Sequence, residues 1–133
     1  MDLITLDFET YYNKEYSLKK LTTEEYVRDP RFEVLGVAIK VNNRITEWAS
    51  GTQEQLKTFL QRHDWNNAMV LAHNTMFDGA ILSWIFDIKP RAYTDTVCIA
   101  RAVNGVEESV SLKALSEKYG VGKKGDEIQN TLD

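Results

Sequence analysis

The first ten residues, MDLITLDFET, alternate in character at their far end: Leu6 and Phe8 fall on one side of an extended chain, and Asp7 and Glu9 fall together on the other. This period of two predicts a strand over 2–8. The segments EVLGVAIKV (33–41) and RITEWAS (44–50) predict two more strands, joined through Asn42-Asn43 as a tight two-residue hairpin turn. In TQEQLKTFLQRH (52–63), Leu56, Phe59 and Leu60 recur at helical spacing behind Thr52, a suitable N-cap. AMVLAH (68–73) is short and wholly apolar, the composition of a strand buried on both faces. Helices are expected from about 77 to 86, near 96–103, and over SLKALSEKY (111–119), which ends at Gly120.

This order predicts an α/β domain: a mixed sheet of three antiparallel strands followed by parallel pairing through crossover helices, covered by those helices. Ligands of such sheets gather beyond the carboxyl ends of the strands. Asp7, Glu9, His73 and Asn74 all fall at such ends.

Composition narrows the class. A length of 133 residues suits one domain, and 43% hydrophobic with 27% charged residues is ordinary for a folded globular protein. No stretch approaches the twenty or so apolar residues of a membrane span, and no secretory leader opens the chain, so a cytoplasmic location is expected, host cytoplasm for a viral protein. Cys98 is the single cysteine, which excludes an internal disulfide and a cysteine-based zinc site. In DTVCIARAV it reads as a small buried hydrophobe. The net charge of −4 argues against coating nucleic acid by bulk attraction, but it includes any carboxylates gathered to hold a cation.

Two carboxylates one residue apart on a strand repel, and one of them is driven toward protonation unless a cation sits between them. Mg²⁺ or Mn²⁺, hard cations that take oxygen ligands, fit that place. A solvated strand end would explain Asp7 and Glu9 without any ion. The second constellation is AHNTMFDGAIL, where Asn74, Phe77 and Asp78 follow directly on the buried strand. Asp78 there also satisfies the preference for a negative charge at a helix start. An N-x-x-F-D string arises by chance in only about one chain of this size in a hundred, which favours chemistry once D-x-E is present too.

Together, DFET on the first strand and HNTMFD some 65 residues on resemble the first two motifs of the DEDD-type 3′-to-5′ exonucleases, ribonuclease H-like proofreading domains that accompany DNA polymerases. The wider stretch ITLDFETYYNKEYSLKKLTTEEYVRDPRFEVLGVAIKV is similar to the N-terminal proofreading part of bacteriophage DNA polymerases. The resemblance implies a metal-dependent hydrolase that releases nucleotides from single-stranded DNA 3′ ends, with a polymerase domain as partner in the same or another chain. It implies two divalent ions, Mg²⁺ or Mn²⁺, with Asp7 bridging both, Glu9 completing the surroundings of the first ion and Asp78 holding the second ion, largely through water. It also implies that Thr10 and Asn74 hold the terminal nucleotide and that Phe77 lies near its base, although Phe77 equally suits the core.

The family's third motif, a Tyr or His followed about four residues later by a fourth carboxylate, has no counterpart after the 111–119 helix. Tyr119 is followed at that distance by Lys123, and Asp126, Glu127 and Asp133 lack the upstream ring. The expectation is a domain truncated before its last helix, and the alternative function is a catalytically incomplete nucleic-acid-binding or structural fragment. Asp95 in YTDTVCIAR could stand in for the missing carboxylate, but its place before a helix suits capping. The stretch 11–32 interleaves tyrosines with lysines and arginines, as base-stacking surfaces do, yet Thr22 with Glu25 forms a capping box and Asp29-Pro30 a stop, so a surface helix explains it as well. Gly120-x-Gly122-x-x-Gly125 follows a helix rather than a strand and so cannot form a dinucleotide cradle. His73 reads as a satisfied strand-end histidine or a base, and His63 as a partner of its helix's terminal carbonyls.

Overall fold

The structure, a computed structural model, describes residues 1–104 and 111–120. Its centre is β1 (Asp2–Thr10). The strand β2 (Val34–Val41) pairs antiparallel with one edge of β1, and β3 (Glu47–Ser50) pairs antiparallel with β2. On the other edge of β1 lie β4 (Ala68–Ala72) and then β5 (Ala92–Asp95), both parallel to it. The sheet order is β3-β2-β1-β4-β5, a mixed α/β sheet consistent with a ribonuclease H-like domain.

Period-two patterning decides which face becomes the core. Ile4, Leu6 and Phe8 are 1%, 2% and 4% exposed, whereas Thr5 and Asp7 on the opposite face are exposed. Cross-strand neighbours share a face, so Val37 and Ile39 of β2 and Val70 of β4 join the buried side. Helix α1 (Thr23–Arg28) adds Tyr26 and Val27, and α2 (Gln53–Leu60) adds Leu56 and Leu60. Phe86 stacks on Phe8 with ring centroids 5.8 Å apart. Each such large apolar side chain removed from water contributes about 1.5–3 kcal/mol.

The helices begin where the sequence predicts. Thr22 Oγ1 accepts from Glu25 N while Glu25 Oε1 accepts from Thr22 N, and Thr52 and Gln55 make the same reciprocal pair. The short helix α3 (Thr75–Ala80) continues into a π-helical turn, Ile81–Ile85, so the expected helix at 77–86 exists but widens midway. Helix α4 (Thr96–Asn104) and helix α5 (Leu112–Tyr119), capped by Ser111 and closed by left-handed Gly120, follow as expected. The glycine-rich run beyond Gly120 lies outside the described residues.

Several expectations are corrected. The β2–β3 connection is longer than two residues, because Ile39 pairs with Glu47. Asn42 does take a positive φ of 51°, but its amide ties β1: Leu3 N donates to Asn42 Oδ1 at 2.9 Å, and Asn42 Nδ2 donates to Asp2 Oδ1 at 3.0 Å. Cys98 is exposed rather than buried. His63 Nε2 is buried with no hydrogen-bond partner among the described residues; the ring packs edge-on against Phe59 and Trp65 instead of capping α2, and burial lowers its pKa. The stretch 11–32 is no mere surface helix, since Tyr16 and Tyr26 are core residues stacked 4.5 Å apart. β5, four residues long, was not expected from the sequence.

Candidate active site

Because β4 pairs with β1 only as far as Thr5, the edge of β1 beyond that point needs another acceptor. Asp78 supplies it. Its Oδ1 accepts from Phe8 N at 3.2 Å, which pins α3 against the end of the central strand, between Asp7 and Glu9 in sequence. Asp78 is 3% exposed, so its charged form is poorly solvated. Burial pushes its carboxyl up to about 8; the Phe8 N–H works against this, and the like charges of Asp7, Glu9 and Asp95 add to it. The structure therefore brings the expected residues into one electrostatic neighbourhood, with Asp7 exposed and Glu9 half-buried on one face of the sheet and Asp78 at its edge.

Among the described residues, no three His, Cys, Asp or Glu side chains form a ready-made ligand set for one ion. Like charges do not draw together without a cation. The chemistry of the donors nonetheless fits one: they are carboxylate oxygens, and the ionised form of the buried member is penalised by its neighbours, a penalty that a divalent cation reverses.

Asp95 plays a part that sequence reasoning assigned only by half. Its carboxylate accepts from Val97 N at 2.8 Å, the capping role expected at the start of α4. It also accepts from Asn74 N at 3.0 Å, Thr75 N at 2.9 Å and Thr75 Oγ1 at 3.1 Å, so it holds the turn that launches α3 and Asp78. Burial raises its pKa, but these N–H bonds outweigh burial and leave it lowered. The available signal was the Asp-Thr pair directly after a short β-forming stretch, AYT. The turn it secures is demanding, since Asn74 sits at φ 80° and ψ 74°, a left-handed conformation that asparagine tolerates better than most residues. Asn74 itself is exposed.

The remaining expected site residues are tied into a tyrosine cluster. Thr10, 9% exposed, shares a 2.9 Å hydrogen bond with the Tyr26 hydroxyl, which also donates to Tyr11 O. Phe77 is half-buried, its ring 5.9 Å from that of Tyr26, and packs against the core. His73 Nδ1 bonds Thr96 Oγ1 at 2.7 Å, the satisfied strand-end reading.

The fold is thus an α/β domain whose central strand bears Asp-x-Glu and meets, at its edge, a buried aspartate delivered by the helix after β4. The chain belongs to the 3′-5′ exonuclease family of DNA polymerase A, which it matches over residues 3–127. No curated protein matches it. The family makes it a 3′-5′ exonuclease domain, a hydrolase acting on DNA. Among the described residues, no helix is long and apolar enough to cross a membrane.

Proposed function

We propose that the chain hydrolyses phosphodiester bonds at single-stranded DNA 3′ ends in a divalent-metal-dependent reaction, as the proofreading partner of a polymerase domain. The observation that carries this reading is Asp78: a buried carboxylate whose ionisation Asp7 and Glu9 oppose. Once Asp78 ionises, that arrangement costs stability unless a cation sits among the carboxylates. Two Mg²⁺ or Mn²⁺ ions, when bound, would neutralise the developing charge on the phosphate and leaving oxygen and activate the attacking water. Asp7, Glu9 and Asp78 would hold them.

The chain's own residues would do the positioning. Asp95 fixes the α3 turn, so Asp78 meets the site from a rigid helix end rather than a loop. Asn74, exposed on that turn, would contact the terminal nucleotide, Thr10 would act from the end of β1, and Phe77 would border the base from the tyrosine cluster.

Calorimetric titration with Mn²⁺ tests the reading. Wild-type protein is expected to bind, and Asp7→Ala to lose most of the affinity, because Asp7 is assigned to both ions. Equal binding by the two proteins would count decisively against the site. In parallel, hydrolysis of a labelled single-stranded oligonucleotide with Mg²⁺ is expected to fall at least about a hundredfold in Asp7→Ala, the scale on which misplaced catalytic groups cost rate.

A further inference from the structure

We infer that Trp48 is a stacking platform for the nucleobase at the 3′ end, set beside the Asp7–Glu9 pair. The inference rests on the nuclease reading and adds a residue to its substrate site.

The sheet register places the indole. Asp7 pairs with Ala38, and Ala38 with Trp48; two residues along, Glu9 pairs with Gly36, and Gly36 with Ser50. Directly paired residues project their side chains to the same face, so Trp48 shares the face of Asp7 and Glu9, opposite the core. The ring then leans diagonally across β2. A Cβ placed on Gly36 would lie 2.3 Å from Cζ2 and 2.4 Å from Cη2 of Trp48. The outer edge of the indole thus occupies the space a side chain at position 36 would fill, one strand spacing of about 5 Å from the backbone of Glu9.

Core packing does not account for this placement. Trp48 is 55% exposed, on the short edge strand β3, and the hydrophobic cluster lies on the other side of the sheet. A single exposed tryptophan is unremarkable by itself. What distinguishes this one is the vacancy at Gly36, which lays the ring against the sheet next to Glu9, a proposed ligand of the metal ions. Bases stack on exposed aromatic rings with little regard to sequence, as a nuclease that removes any 3′ nucleotide requires.

Three variants of the full 133-residue chain test this: Trp48→Ala, Trp48→Phe, which keeps a stacking ring, and Gly36→Val, which keeps the indole but displaces it. Each is paired with labelled single-stranded oligonucleotides carrying either an ordinary or an abasic 3′-terminal nucleotide. Binding is read by anisotropy with Ca²⁺ and hydrolysis with Mg²⁺, and thermal unfolding verifies that each variant is folded. Trp48→Ala and Gly36→Val are expected to weaken binding of the ordinary end about tenfold or more, with the loss appearing in KM rather than kcat. They should leave the abasic end bound as in wild type, and Trp48→Phe should restore most of the loss. If Trp48→Ala binds the ordinary end as tightly as wild type, or loses both ends equally, the platform is wrong while the nuclease reading stands. Should wild type neither bind nor cut either oligonucleotide, the nuclease reading falls and the platform falls with it.

Discussion

Asp78→Asn is expected to flatten the dependence of stability on pH and, in the same protein, to reduce oligonucleotide hydrolysis by at least about a hundredfold. The folded protein holds the Asp78 proton up to about pH 8, whereas an unfolded aspartate releases it near its ordinary value. Between those two values the folded state binds more protons than the unfolded state. Stability contributed by this group is thus fully present below about pH 4 and is lost as the pH rises through about 8, with a slope of at most about 1.4 kcal/mol per pH unit. An asparagine still offers an oxygen to Phe8 N but has no charge to bury. The variant should therefore lack this component of the slope and resist denaturant better than wild type at pH 8–9 without metal. Mn²⁺ should reverse the order, stabilising wild type by binding its ionised carboxylate and doing much less for the variant. Denaturant midpoints from pH 4 to 9, with and without Mn²⁺, provide the measurement. Parallel curves for the two proteins would show that Asp78 is not held protonated.

The central strand was legible in the sequence because one physical rule governs it: with one face buried and one not, Leu6 and Phe8 alternate with Asp7 and Glu9, and the register follows. Caps were equally legible, since the reciprocal bonds of Thr22 with Glu25 and Thr52 with Gln55 are local and need no tertiary partner. β5 was not legible. Its four residues carry too little pattern, and only pairing with β4, from Met69 with Ala92 to Ala72 with Asp95, makes them a strand. Missing β5 also hid half of Asp95, whose contacts with Asn74 and Thr75 cross about twenty residues of chain. Cys98 was misread because an apolar window resembles a buried one, yet Ile99 and Val103 beside it are 52% and 71% exposed. The neighbourhood of Asp7, Glu9 and Asp78 was readable only through the two motifs; the bond from Phe8 N to Asp78 depends on where β4 stops, which no local pattern records.

The other large effect is expected at Tyr26, the residue through which the core supports the site. Its ring stacks on Tyr16 at 4.5 Å, meets Phe32 edge-on at 5.7 Å and touches Phe77 at 5.9 Å. Its hydroxyl bonds both Thr10 Oγ1 and Tyr11 O. Tyr26→Ala removes all of this and should cost about 3–5 kcal/mol, the range for deleting a buried aromatic ring. Tyr26→Phe keeps the ring contacts but leaves the buried Thr10 hydroxyl and Tyr11 carbonyl short of a partner, a cost of about 1–3 kcal/mol. Thr10→Val leaves the Tyr26 hydroxyl with Tyr11 O alone. If the Thr10–Tyr26 bond is a working link, the double variant Tyr26→Phe with Thr10→Val should cost clearly less than the sum of the two singles, because the second change removes a group the first has already orphaned. Urea unfolding of the four proteins measures that coupling. Strict additivity would mean that the two hydroxyls do not depend on each other, and that Thr10 is held at the end of β1 by the strand's own backbone rather than by the tyrosine cluster.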